Sequence, residues 1–147
     1  RSHTHLHAEP FGALAGGREA SLSQIGDSLV SHLRDEGCDA VVVAVKDVPG
    51  SISPDEGEAA LSALGRMAAR VLAGIPVSGL ILTGGWTAFH VLRALGGRGA
   101  EVCAEVEPGI PLCRLKGGPF DGMGVVTKAG GFGTDEALVR AAATLKK

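Results

Sequence analysis

Tyrosine is missing from these 147 residues, and the aromatic complement is four phenylalanines and one tryptophan. A core built from stacked rings is thereby excluded. Packing falls to Ala, Val and Leu in tight layers, as in α/β domains. The three cysteines, Cys38, Cys103 and Cys113, are odd in number and form no C-x-x-C pair, which argues against a disulfide framework and against a zinc site. They read as free thiols. No apolar run nears the ~18 residues that suggest a membrane span, and the polar N-terminal residues lack the apolar centre of a signal peptide. The expectation is a cytoplasmic protein with no membrane partner. Excess positive charge is lacking too: 14 Lys and Arg face 16 Asp and Glu, for a formal net charge of -2, with no dense basic cluster to hold nucleic acid. Neither G-x-x-x-x-G-K-[ST] nor a strand-following G-x-G-x-x-G occurs, so the P-loop and the dinucleotide fingerprint are excluded. What remains is a small partner bound by other means.

Glycine is abundant, at 23 residues, and its placement is informative. The stretch at 79–95, GLILTGGWTAFHVLRAL, reads as an apolar strand, a glycine pair, a threonine and an amphipathic helix. Gly84 and Gly85 permit a tight bend and a close backbone approach to a ligand, since neither carries a Cβ. Thr87 is the expected N-cap of a helix beginning at Ala88, whose unpaired N–H groups and positive dipole end suit phosphate. A plain reversal of direction is the alternative. Trp86 is expected to lie against Val91 as a hydrophobic staple, and His90 reads as a solvated helix residue.

In the first twenty residues His3, His5 and His7 alternate, so a strand would project all of them to one face. Three imidazoles there could hold a metal, but an exposed terminal strand is the simpler reading and no metal site is assigned. Pro10 and the glycines of 12–17 predict a loop. Leu22, Ile25, Leu29, Val30 and Leu33 recur at helical spacing, and Gly37 stops that helix. The valine-rich run 40–45 predicts a strand of a parallel sheet buried on both faces. Residues 48–57 read as an irregular loop at its C-terminal edge, where open α/β sheets bind ligands; Lys46, Ser51 and Ser53 are candidates there, or simply loop polar groups. A helix follows over 58–73, with Leu61, Leu64, Ala68, Val71 and Leu72 on one face.

Beyond the glycine turn the period becomes two, with Val102, Ala104 and Val106 opposed to Glu101, Cys103 and Glu105, predicting a half-exposed strand. The rigid EPGIP turn spans 107–111, strand continues over 112–115, and Gly117, Gly118, Pro119 and Gly122 supply a hairpin reversal. A last strand, 125–128, runs into AGGFG at 129–133 and a closing helix with Leu138, Ala141, Ala142 and Leu145 on one face. Thr134 is its candidate N-cap.

The chain thus holds two strand, glycine-loop, helix units, at 83–87 and 127–134. If their strands are parallel neighbours, both loops meet at one sheet edge and leave a backbone-lined cleft with Lys128 at its rim. Glycine-built amides and a lysine suit a polyphosphate. The expected fold is one α/β domain over 1–147: three layers, a largely parallel or mixed sheet flanked by helices, Rossmann-like without the dinucleotide fingerprint.

TGGWTA at 83–88, LRALG at 92–96, EVEPGIP at 105–111, LKGG at 115–118 and VVTKAGGFG at 125–133 resemble the ordered motifs in the C-terminal nucleotide-binding domain of the four-carbon acid sugar kinase family. That family was formerly a domain of unknown function and has also been labelled Hrp-dependent type III effector. The resemblance is strongest over 58–147. It implies a part in carbohydrate metabolism: ATP- and Mg²⁺-dependent phosphorylation of a hydroxyl on a sugar acid such as threonate, erythronate or an oxo-tetronate. The implied nucleotide contacts are Gly84, Gly85, Trp86, Thr87, Lys128, Gly130 and Gly131; the resemblance assigns no catalytic residue. The chain departs from the family pattern at Trp86, where an acid is usual, at Ala104 and Cys113, where glycine is common, and at Gly131, where asparagine is frequent. The sugar acid is implied to bind an N-terminal domain for which these residues have no room, or a partner chain. The isolated chain is therefore expected to be inactive. A degenerate module for nucleotide or phosphate binding and interaction is the alternative, and a homo-oligomer is compatible with either.

Overall fold

The computed structural model describes residues 3–147, and the chain divides into two compact units, with the boundary between Pro76 and Val77.

In the first unit, strand β1 (His3–Pro10) is followed by helices α1 (Phe11–Ala15) and α2 (Glu19–Arg34), strand β2 (Cys38–Lys46) and helix α3 (Pro54–Gly74). β1 and β2 pair in parallel, as the valine run predicts. The expected burial of β2 on both faces is corrected: Val42 and Val45 are exposed. A sheet of two strands is too narrow to cover both faces of each. The loop expected over 12–17 is also corrected. Phe11 and Leu14 are buried with Leu22, Ala60 and Ala63, and that burial makes 11–15 a helix despite its glycine. The alternating histidines do lie on a strand. His5 stacks on the ring of His32 at 3.5 Å between centroids, and His7 Nε2 lies 2.9 Å from Glu9 Oε2. Among the described residues no group of three or more His, Cys, Asp or Glu is arranged to hold a metal ion.

Residues 54–57, read as loop, open α3 instead. Ser53 caps it: Ser53 Oγ accepts from the Glu56 backbone N–H at 3.2 Å and Glu56 Oε2 accepts from the Ser53 N–H at 2.8 Å, with Pro54 at the first helical position. This reciprocal pair satisfies two otherwise unpaired donors. Ser53 is thus occupied in folding the helix rather than offered to a ligand.

The second unit contains β3 (Gly79–Thr83), α4 (Gly85–Ala94), β4 (Gly99–Glu107), β5 (Ile110–Lys116), β6 (Gly124–Lys128) and α5 (Ala137–Leu145). Its sheet has the order β3-β6-β5-β4. β3 and β6 are parallel, and β5 is antiparallel to both β6 and β4. Val125 and Val126 are both fully buried, although successive strand residues point to opposite faces, so both faces of β6 are covered. On the Val126 side, Ile110, Ala137 and Ala141 close the core with Ile81 and Leu145. On the other side, the chain leaving α4 passes so close to β5 that a Cβ at Gly97 would stand 2.5 Å from Leu115 Cδ1. The α/β class and mixed sheet expected from sequence are therefore present. β4, at one end of the sheet order, differs from expectation in being exposed along 99–105 on both sides. Val102 is 69% exposed. Among the described residues, no helix is long and apolar enough to cross a membrane.

Candidate functional site

The candidate site grows out of the parallel pair of the second unit, the edge strand β3 and its neighbour β6. Thr83 pairs with Lys128 at the ends of β3 and β6, and the next backbone N–H, that of Gly84, donates to the Lys128 carbonyl at 2.8 Å. The two glycine loops are thereby joined at one edge of the sheet.

Gly84 has φ 99° and ψ 131°, a backbone conformation essentially closed to residues with a Cβ. This permits α4 to begin at Gly85 rather than at Ala88, with Gly84 as N-cap, so the expected Thr87 cap is corrected. The first intrahelical bond runs from the Ala88 N–H to Gly84 O at 2.9 Å. The amides of Gly85, Trp86 and Thr87 precede it, and no side chain caps them. A Cβ added at Gly85, Gly130 or Gly131 would meet nothing within 4 Å. Open backbone on both loops is the physical fit for a polyphosphate, whose oxygens need N–H donors at close range. No acidic residue lies in the first turn of α4, so this turn offers no carboxylate to Mg²⁺.

Trp86 is 72% exposed and does not act as a staple. Val91 is buried beneath the helix, whereas the indole meets Phe89 edge-on at 6.1 Å and His90 at 6.4 Å. Because α4 starts earlier than expected, Trp86 lies inside its first turn, on the solvent side. Lys128 points its ammonium group back onto its own loop, donating to Ala129 O at 3.1 Å and Gly130 O at 2.9 Å. These are exposed bonds that a phosphate can replace.

One residue at this edge escapes a sequence reading. Glu107, expected as part of a rigid turn, is 7% exposed. Its carboxylate accepts from the Thr134 N–H at 2.9 Å and from Thr134 Oγ1 at 2.8 Å, and Arg140 Nε stands 3.5 Å away. Thr134 is consequently not the N-cap of α5, which is Glu136. No local signal marks it, because a glutamate before Pro108 and Gly109 reads as an exposed turn residue. The Phe132 ring covers Gly109 of the same turn, so closely that a Cβ there would stand 2.5 Å from Phe132 Cδ1. Glu105 Oε1 accepts from the Gly109 N–H at 2.8 Å. Turn and glycine loop are thus fastened together.

The Thr134 backbone bond, then its hydroxyl bond, and finally the Arg140 charge hold the Glu107 carboxyl below its ordinary value near 4.5, against the opposing effect of desolvation. A lowered folded-state pKa contributes stability that is fully present above the unfolded value and is lost as pH falls through the folded one. The parent is therefore expected to melt above Glu107→Gln at neutral pH. Melting curves taken below pH about 4.5 should show that gap closing; a gap independent of pH contradicts the assignment.

A family model described as the nucleotide-binding C-terminal domain matches residues 7–138. The chain is 39% identical over 98 residues to a D-threonate kinase of Bordetella bronchiseptica, covering 67% of this chain and 24% of that protein. It is 39% identical over 82 residues to a D-threonate kinase of Salmonella typhimurium, covering 56% of this chain and 19% of that one. The chain thus spans about a quarter or less of the length of these curated relatives. The crystal structure of a domain of unknown function from Bordetella bronchiseptica, a domain-swapped dimer with bound citrate, is similar with a TM-score of 0.81 and 30% identity. That match covers 97% of this chain and 35% of the other.

Proposed function

This chain belongs to the nucleotide-binding C-terminal domains of the four-carbon acid sugar kinase family, and from that premise we propose that it binds the phosphates of ATP on its paired glycine loops. The observation that carries the proposal is the Gly84 N–H to Lys128 O bond, which sets the two loops side by side over open backbone. Gly84 and Gly85 bring the backbone close, the amides of Gly85, Trp86 and Thr87 donate to phosphate oxygens, and the α4 dipole favours the negative charge. Gly130 and Gly131 present the second loop. Lys128 exchanges its two carbonyl partners for a phosphate oxygen, a point charge on a flexible stem.

Phosphoryl transfer also requires an aligned acceptor and a group to orient it. In the proposed kinase these lie outside this chain, in a sugar-acid-binding domain or partner. Mg²⁺ would neutralise charge between the phosphates, and the α4 turn adds no carboxylate to it. The chain by itself is expected to bind Mg-ATP weakly and to release no ADP in the presence of threonate or erythronate. Titration calorimetry with Mg-ATP is the test. No heat and no rise in melting temperature at millimolar nucleotide would overturn the reading.

The exposed Trp86, in the position where the family usually has an acid, favours a second reading, a domain kept for interaction after losing its metal-ordering carboxylate. Trp86→Asp separates the two. If the site is a nucleotide site lacking only that group, the variant should bind Mg-ATP about tenfold more tightly, the scale of one charge-assisted contact. Unchanged or absent binding in Trp86→Asp favours the interaction module. A homodimer is the assembly we propose to test by light scattering, given the domain-swapped dimer of the Bordetella relative.

A further inference from the structure

We infer that Glu107 is a positioning residue of the nucleotide site: it holds the 129–133 loop in the conformation that presents its amides, without itself touching the ligand. The inference rests on the nucleotide reading above and adds to it a residue that no motif of the two loops contains.

The loop has little to hold it from within. A Cβ at Gly130 or Gly131 would meet nothing within 4 Å, and apart from the exposed Lys128 Nζ bonds to Ala129 O and Gly130 O the loop's own backbone bond is Phe132 N–H to Ala129 O at 3.2 Å. Chain of this composition has a large conformational entropy to lose on ordering. Its fixed points come from the β4–β5 turn, and they follow one another directly. Phe132 lies on Gly109, Gly133 packs against Ile110, and Thr134 gives both its N–H and its hydroxyl to Glu107. Only the last of these is directional. Two short bonds to a buried carboxylate define where Thr134 sits, and so how Gly130 to Gly133 must arch back to Lys128.

Arg140 extends the arrangement into α5. Its Nε faces Glu107 and its Nη2 donates to Glu136 Oε2 at 3.2 Å. A carboxylate bonded to the loop and ion-paired with the helix ties the strand turn, the loop and the start of α5 into one unit. Donors are of use to a phosphate only where they are already aimed. Glu107 supplies that aim from outside the contact shell.

The test compares the full chain with Glu107→Ala, Thr134→Val, Thr134→Ser and Leu145→Ala, using Mg-ATP calorimetry and amide hydrogen exchange. Leu145 packs on Gly79 and Gly124, at the other end of β3 and β6 from the loops, so its truncation lowers stability while leaving the Glu107 to Thr134 bonds in place. Glu107→Ala and Thr134→Val are expected to raise the Kd for Mg-ATP about tenfold or more, as loss of bonds to a charged group implies. Exchange of the 130–134 amides should accelerate with them. Thr134→Ser, which keeps the hydroxyl, should bind as the parent does, and Leu145→Ala should bind within about twofold of the parent. Parent-like affinity in Glu107→Ala overturns the inference, whether or not the loop amides exchange faster; so does an equal loss in Leu145→Ala. If the parent itself fails to bind Mg-ATP, the nucleotide reading falls, and loop exchange alone then decides whether Glu107 holds the loop.

Discussion

Gly84→Val is expected to reduce Mg-ATP affinity about a hundredfold, because a misplacement of roughly 1 Å in a preorganised site has effects of that order. Gly84 has φ 99° and ψ 131°, which a β-branched residue does not adopt without strain of about 1–3 kcal/mol. A Cβ there would also approach Thr87 Oγ1 to 3.4 Å. Relief of that strain rotates the peptide and breaks the Gly84 N–H to Lys128 O bond. Both loops lose their common reference, and the first amides of α4 turn away from the site. Gly85→Ala provides the comparison. Gly85 lies within α4, and a Cβ there meets nothing within 4 Å, so the fold should be unaffected while the added methyl group stands where a phosphate must approach. Calorimetry should thus find weakened binding in both variants, with a lowered melting temperature in Gly84→Val alone. Parent-like binding by Gly84→Val removes the first loop from the site.

A large loss of stability is expected from Gly133→Ala. The residue has φ +90°, and a Cβ would stand 2.6 Å from Ile110 Cδ1 and 2.8 Å from Ala137 Cβ. Ile110 is 1% exposed and Ala137 2%, so neither has room to withdraw. Left-handed backbone strain and overpacking of a closed core together cost about 2–4 kcal/mol. Against a total domain stability of about 5–15 kcal/mol, that is a substantial fraction. Urea unfolding checks it: the midpoint should fall with little change in slope. Ile110→Val in the Gly133→Ala background should recover part of the loss by opening space, whereas additive effects would contradict the clash. Because Gly133 lies between Phe132 and Thr134, nucleotide affinity should fall along with stability.

The structure also shows where local pattern was a sufficient guide. Helical spacing of leucine and valine located α2 and α3, and the valine run located β2, because those signals are set by which face must leave water. Boundaries were less legible. α3 begins earlier than its apolar stripe because the Ser53 and Glu56 capping box reaches back beyond it. α1 formed against its glycine because Phe11 and Leu14 are buried by residues of α2 and α3. The placement of Trp86 failed for a related reason. A staple requires the residue to precede the cap, and the left-handed turn at Gly84 moved the cap upstream of it.

The sequence by itself determined that the second half of the chain contains two strand, glycine-loop, helix units, since strand, bend and helix are each encoded by neighbouring residues. Whether those units meet at one sheet edge was decided only by the tertiary structure, through the parallel pairing of β3 with β6. Strand order depends on how apolar faces far apart in the chain close one core, which no window of residues specifies. The same holds for Glu107 and Thr134, 27 residues apart. A glutamate before proline reads as an exposed turn until folding carries it under a loop, where burial makes its bonds directional.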